Sequence, residues 1–324
     1  MISSPLPIID MATYRAGAPE AKARLVQDIA AVSRELGFFY LVNHGVPDGL
    51  LADQLAWGRR FFEQSLEAKM AVDLRLSPVR RGYEPMALQT LQAGMAPDQK
   101  EGFGLGRELG PDHWLMRKAA PFEGPNQWPA SSEVFDGEGF QTQTETYREA
   151  MTDLGRELSG LLAASLGLPE DYFAQALVDP SVNVRLLHYP PQPPQVPADR
   201  LGCGAHTDWG LITILLQDDC GGLEIETGAD QWLRATPVPG ALIVNLGDMV
   251  VRLTGGRYAS NVHRVINTQP DRDRYSVATF FNPHALYVVE CVPTCVSEGA
   301  APEPITFGDH INAMIRKTYA PEAA

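Results

Sequence analysis

The sequence predicts an α+β chain that is mainly β, a jelly roll flanked by N-terminal and backing helices and followed by a C-terminal helix. Three observations carry this expectation. Between residues 203 and 290 the chain breaks into short extended runs separated by Gly, Pro, Asp and Asn, with no long helix between them, the pattern of a sandwich or roll. Helical periodicity is confined to the stretches outside that region. No internal repeat and no dividing linker interrupts the 324 residues, a length at which one chain buries a large core. We therefore expect a single domain over 1–324: a helical and strand region at about 1–135, the jelly roll at about 180–295, and a C-terminal helix at 305–320.

In order along the chain, Leu25, Ile29, Val32 and Leu36 fall on one helical stripe, with Pro19 near its start and Gly37 just past its end. Phe38–Val42 reads as a buried strand, and Leu50, Leu51, Leu55, Phe61, Phe62 and Leu66 as a second helix. The stretch 78–129 is rich in Gly and Pro and lacks clear periodicity. Such long loops are often functional, so Tyr83 and Phe103 are expected to shape a substrate pocket there, with Trp114 in the same stretch. The longest helical signal, about 143–166, aligns Tyr147, Met151, Leu154, Leu158, Leu161 and Ser165 before Gly167 and should back the sheet. Pro190–Pro197 is a stiff loop that cannot continue a ladder. Trp209–Gln217 is uncharged, apolar and β-branched, suiting a strand buried on both faces, whereas Leu223–Thr227 alternates as a half-buried strand does. After the short Trp232–Arg234 segment, extended runs follow at Ala241–Asn245, Val262–Ile266, Tyr275–Phe281 and Leu286–Glu290. Thr306 is placed to cap a helix over Phe307–Tyr319, with Asp309 three residues on.

Composition narrows the function classes. Hydrophobic residues make up 44% and charged ones 20%, an ordinary globular balance. The net charge of −14 argues against nucleic acid or an anionic membrane as partner, since both need dense Lys/Arg patches. No apolar run approaches the ~20 residues of a membrane span, and the N-terminus lacks a signal-peptide pattern; a cytoplasmic enzyme is expected. Cys203, Cys220, Cys291 and Cys295 form no paired zinc pattern and read as reduced thiols. Cys203 lies three residues before His206, but a thiolate there would be a soft ligand, and we discount it as one.

His206-Thr207-Asp208, followed by His263, is the most informative group. Residues two apart on a strand share a face, so an extended chain lets His206 and Asp208 reach one ion, with His263 arriving from another strand. Two imidazoles and one carboxylate leave three open octahedral positions, the arrangement of non-haem Fe(II) oxygenases. Arg274-Tyr275-Ser276 places a guanidinium and a hydroxyl on one face of the returning strand, a receptor for a carboxylate. His44 lies in an Asn-His-Gly turn, and His188 should face away from its neighbour Tyr189. His113, His284 and His310 have no carboxylate at metal spacing.

These motifs resemble, over roughly residues 5–320, the isopenicillin N synthase-like group of Fe(II)/2-oxoglutarate-dependent oxygenases. The matching stretches are Leu6–Asp10, Gly37–Val46, Lys100–Phe103, His206–Asp208, Asn245–Asp248, Asn261–Val265 and Arg274–Ser276, in the family's order. The resemblance implies a double-stranded β-helix in which His206, Asp208 and His263 bind iron. It implies that Arg274 and Ser276 hold the distal carboxylate of 2-oxoglutarate, and Tyr189 matches a tyrosine that often contacts that carboxylate. One departure stands out: many relatives carry Asn two positions before that tyrosine, and this chain has Leu187. The implied activity uses O2, Fe(II) and 2-oxoglutarate to hydroxylate, desaturate or cyclise a small molecule, releasing succinate. Trp209, beside Asp208, and the C-terminal helix around Met314 are further places for the pocket. Some relatives keep the Arg-x-Ser pair without using 2-oxoglutarate. An iron-dependent oxidase and a non-catalytic small-molecule binder therefore remain alternatives, the intact triad arguing against the second.

Overall fold

The computed structural model describes residues 6–192, 200–229, 231–267, 269–296 and 303–318. The chain opens with β1 (Ile8–Asp10), α1 (Ala12–Arg15), α2 (Pro19–Glu35), β2 (Phe38–Val42), α3 (Asp48–Phe62) and α4 (Leu66–Met70). Then come β3 (Gly82–Glu84), β4 (Glu101–Leu105), α5 (Trp114–Arg117) and α6 (Gly137–Ser165). The roll follows with β5 (Ser181–Tyr189), β6 (Cys203–His206), β7 (Ile212–Gln217), β8 (Leu223–Gly228), β9 (Gln231–Arg234) and β10 (Leu242–Leu246). The chain closes with α7 (Asp248–Leu253), β11 (His263–Val265), β12 (Arg274–Asn282), β13 (Val288–Val289), β14 (Ile305–Thr306) and α8 (Phe307–Thr318).

Eight strands form a large sheet in the order β1-β2-β10-β7-β12-β5-β4-β3, and β6-β11-β8-β9 form a smaller one. The two-residue period of the central strands sorts their side chains between two surroundings. Val182, Val184, Leu186, Ile212, Ile214, Leu216, Val277 and Phe281 meet Leu25, Phe61, Met151, Leu154 and Leu158 of α2, α3 and α6 in one apolar cluster. The alternate positions face the smaller sheet, where Phe38, Tyr40, Tyr189, Ile243, Leu223, Ile225 and Val265 form a second cluster. Each fully buried residue of this size contributes about 1.5–3 kcal/mol. Gly155 lets α6 lie close to the sheet: a Cβ there would sit 2.3 Å from the Phe281 ring.

Several expectations need correction. The stretch 78–129 is not one long loop; it contributes β3 and β4 to the edge of the large sheet and holds α5. The backing helix starts at Gly137, six residues before the periodic signal, because Asp136 caps it by accepting from the Gly139 amide. Its first turn also buries Phe140 completely, and tertiary packing outweighs the poor propensity of its glycines. The run from Trp209 enters its strand only at Ile212, and Leu286–Glu290 shortens to Val288–Val289. Pro193–Pro197 and Tyr319 lie outside the described residues. Thr306 does cap α8, accepting from the Asp309 amide at 3.1 Å. Among the described residues no helix is long and apolar enough to cross a membrane.

Candidate metal centre and active site

β11 pairs antiparallel with β6 so that His263 stands opposite His206. Their ring centroids are 4.3 Å apart. Asp208 joins them by a route the sequence pattern did not contain: β6 ends at His206, and the chain turns out of the strand before Asp208. That turn is pinned by α7 and its neighbours. The Asp248 amide donates to the Asp208 carbonyl at 2.8 Å, and the Asp248 carboxylate accepts from Thr207 Oγ1 and Ser260 Oγ. Gly247 is required at this contact, since a Cβ there would lie 2.4 Å from the Gly210 carbonyl oxygen and 2.8 Å from that of Asp208.

The three side chains present one atom each. His206 Nδ1 donates to the Gly204 carbonyl at 2.8 Å and His263 Nδ1 to the Asn261 carbonyl at 3.2 Å. A carbonyl only accepts, so both rings carry their proton on Nδ1 and keep the Nε2 lone pair for a metal. Asp208 Oδ2 accepts from Thr213 Oγ1 at 2.6 Å and Asn245 Nδ2 at 2.7 Å, which leaves Oδ1. Oδ1 lies 4.0 Å from His206 Nε2 and 3.9 Å from His263 Nε2. Both spacings fall within twice a metal–nitrogen bond of about 2.1 Å, so the donor set fits one ion. Burial pushes the His263 imidazolium down to about 4 and lowers His206 in the same direction. Burial acts to raise Asp208, but the two imidazoles and the Asn245 and Thr213 hydrogen bonds leave it below its ordinary value. At neutral pH the set is therefore two neutral imidazoles and a carboxylate, the ligand forms a divalent metal needs.

Two cavities meet at this triad. The inner one, about 80 Å³, is bounded by Tyr189, Arg274, Ser276, Leu187, Lys100, His206, Asp208 and His263. Arg274 and Ser276 sit on β12 in the large sheet, not on a hairpin returning from β11 in the smaller one, so they face the triad across the inter-sheet space. Arg274 is 1% exposed; it donates to the Gly221 carbonyl at 2.5 Å, to Ser276 Oγ at 3.0 Å and to Gln217 Oε1 at 3.3 Å. Its guanidinium lies 4.7 Å from the centre of the Tyr189 ring, its cross-strand partner. No carboxylate lies within ion-pair distance of it among the described residues, and a buried cation in that state calls for an anionic ligand. Leu187 stands opposite Ser276 and offers that ligand only an apolar wall.

The outer cavity, about 230 Å³, runs from His206, Asp208 and Trp209 to Phe307, Ile311 and Ile315 of α8. His310 Nε2 ties α8 to the loop after Asp208 by donating to the Trp209 carbonyl at 3.1 Å. Tyr83 and Phe103 do not line it. They are 1% and 0% exposed on the opposite face of β3 and β4, where Phe103 packs 4.7 Å from Phe61 and Tyr83 donates to Glu101 at 2.5 Å. Their neighbours Gly82, Glu84 and Gly104 line the cavity instead. Sequence reasoning also passed over Arg185, Gln89, Lys100, Thr213 and Asn245; all but Gln89 and Lys100 lie on strands at positions that share the inner face with recognised residues. His188 faces away from Tyr189 into packing, as expected, stacked on Tyr275 and held between Glu101 and Asp273 at 2.7 Å each, and His44 holds the Gly240 carbonyl. Cys203 is buried at the inner cavity, and burial pushes its thiol up to about 12.

Residues 6–131 match the family model described as non-haem dioxygenase in morphine synthesis N-terminal, and residues 180–283 match the 2OG-Fe(II) oxygenase superfamily. The chain is 38% identical to a 2-oxoglutarate-Fe(II) type oxidoreductase, hxnY, of Emericella nidulans, covering 97% of this chain and 90% of that one. It is 37% identical to the 2-oxoglutarate-dependent dioxygenase citB of Monascus ruber, covering 97% and 95%. Its fold superposes on that of a full-length Neurospora crassa protein solved in complex with alpha-KG, with a TM-score of 0.85 at 27% identity and 98% coverage of both chains. The same Neurospora crassa protein with alpha-KG and thymine gives 0.84 at 26% identity, again covering 98% of both chains.

Proposed function

For a chain that belongs to the 2OG-Fe(II) oxygenase superfamily, and is a 2-oxoglutarate-dependent dioxygenase, we propose that His206, Asp208 and His263 hold the Fe(II). Arg274, Ser276 and Tyr189 hold 2-oxoglutarate, and the outer cavity holds a small molecule that is hydroxylated. The single observation that carries this reading is the convergence of two Nε2 atoms and one carboxylate oxygen at the junction of the two cavities. When bound, ferrous iron with 2-oxoglutarate and O2 supplies an oxidant able to break an unactivated C–H bond, with decarboxylation of 2-oxoglutarate to succinate.

The protein's own part is positional. Gly204 and Asn261 set the two imidazole orientations, while Thr213 and Asn245 fix the carboxylate so that Oδ1 faces the imidazoles. Arg274, steadied by Gly221, Gln217 and Ser276, presents its planar fork at the end of the inner cavity, the geometry for a distal carboxylate. α8 and Phe280 cover the outer cavity with apolar surface, which keeps water from the reacting carbon. No side-chain acid or base is needed. The buried guanidinium without a carboxylate partner calls for an anionic ligand, and the 2-oxoglutarate-dependent relatives support the cosubstrate in that place. The test is succinate release over a panel of small metabolites with Fe(II) and 2-oxoglutarate. Product formation indifferent to 2-oxoglutarate would sink the reading.

A further inference from the structure

Taking that active-site reading as its basis, we propose that the substrate is a small uncharged ring carrying an N–H beside a C=O, a cyclic amide or imide. Four features of the outer cavity lead there. Its volume, about 230 Å³, lies below the roughly 300–1,000 Å³ of pockets that enclose drug-sized ligands, so one ring with few substituents fits. Its walls at Leu105, Phe122, Phe280, Phe307 and Ile311 are apolar.

The buried charges of the cavity wall are paired. Glu84 on β3 and Arg185 on β5 both line it and pair with each other, their side chains 8% and 24% exposed. A substrate carboxylate would be repelled by Glu84, and an ammonium by Arg185, in a site where water screens neither. Arg81 in the same wall donates to the Phe122, Gly124 and Arg107 carbonyls and lies 3.9 Å from Glu123, and Arg80 lines the cavity from its exposed rim, where water screens its charge.

The hydrogen-bonding capacity, in contrast, is incomplete. Glu84 Oε2 takes the Arg185 Nη2 proton, and its Oε1 accepts no hydrogen bond among the described residues. Gln89 is 3% exposed at the same cavity, and its Oε1 is buried without a partner. A buried acceptor left in that state is costly, and a ligand that brings a donor relieves it. The N–H of a ring amide supplies Glu84, and its neighbouring carbonyl takes the N–H2 of Gln89, whose amide can turn either end to the ligand. The two contacts together fix the ring, with one edge at the polar wall and the rest toward His206 and Asp208.

The experiment is anaerobic calorimetric titration of the protein loaded with Fe(II) and 2-oxoglutarate. The probes are thymine and 2-pyridone, their N-methylated forms, and benzoate and benzylamine as charged rings of similar size. The expected result is binding of both ring amides, weakened at least tenfold by N-methylation, with benzoate and benzylamine at least tenfold weaker than the amides. In Glu84→Gln the amides weaken at least tenfold and benzoate gains affinity, because Arg185 has lost its neutralising partner; thermal melting checks that this variant folds. Failure of both amides to bind, indifference to N-methylation, or tighter binding of benzoate or benzylamine by the wild type would each overturn the proposal. Substrate-free succinate release by the wild type separates the two levels. If it is present while the amides fail, only the substrate class is wrong; if it is absent, the active-site reading falls and the substrate class with it.

Discussion

Replacing Arg274 by Lys keeps a positive charge at the end of the inner cavity and removes the planar fork. The structure sets the size of the effect. Arg274 is 1% exposed, its Nη1 and Nη2 are oriented by Ser276 and Gln217, and no carboxylate competes for it among the described residues. One face of a two-pronged, charge-assisted contact is lost, worth about 1.5–3 kcal/mol. At 1.4 kcal/mol per decade, that is an increase in the 2-oxoglutarate Kd of roughly ten- to 150-fold. Ser276→Ala should cost about 1 kcal/mol, and the double variant less than the sum, because Ser276 acts partly by holding Arg274 Nη1. The assay is 2-oxoglutarate titration of the metal-loaded protein, with thermal melting to account for the Gly221 carbonyl left without its donor. A Kd unchanged in Arg274→Lys would refute the assignment of this cavity to the cosubstrate.

Three other outcomes follow from the same structure. Asn245→Ala removes one of the two donors on Asp208 Oδ2 and should weaken Fe(II) binding by about ten- to 100-fold in a competition titration, while the fold melts as a single transition. Phe103→Ala should destabilise the protein by about 3–5 kcal/mol in denaturant unfolding, since the ring is fully buried against Phe61 and Phe140, and should leave the ratio of product to succinate unchanged. As pH falls from 6.5 toward 4, the metal-free protein should lose stability: burial holds His263 at about 4 against an ordinary 6.5, so the unfolded chain takes up the proton first. His263→Gln should flatten that part of the melting-temperature profile, and a profile already flat in the wild type would contradict the assignment.

The convergence of His206, Asp208 and His263 was legible because two of them are nearly adjacent in sequence and the third opens a strand of its own. The way Asp208 reaches the two imidazoles was not, since it depends on Asp248, Gly247 and Asn245 pinning a turn from elements about forty residues away. That Arg274 and Ser276 share one face was legible from their spacing, but their sheet was not, because pairing of β12 with β5 and β7 is non-local. The pocket was misread in an instructive way. In Gly82-Tyr83-Glu84 and Gly102-Phe103-Gly104 the aromatic rings suggested a binding surface, whereas a two-residue period puts them opposite the small residues. The cavity exists where Gly82 and Gly104 leave room, and the rings fill the core behind it. The apolar residues of α8 that cover the cavity gave only an amphipathic stripe, with no indication of what it covers.

The iron site is tested most directly by measuring succinate release side by side from the wild type and His263→Ala, each loaded anaerobically with Fe(II), given 2-oxoglutarate and then exposed to O2. The wild type should release succinate only when both Fe(II) and 2-oxoglutarate are present, and should stop with a chelator. His263→Ala should release none and bind no iron, yet melt as a folded protein. Equal succinate release by the two proteins, or release by the wild type that survives the chelator, would contradict the assignment of His206, Asp208 and His263 to the metal.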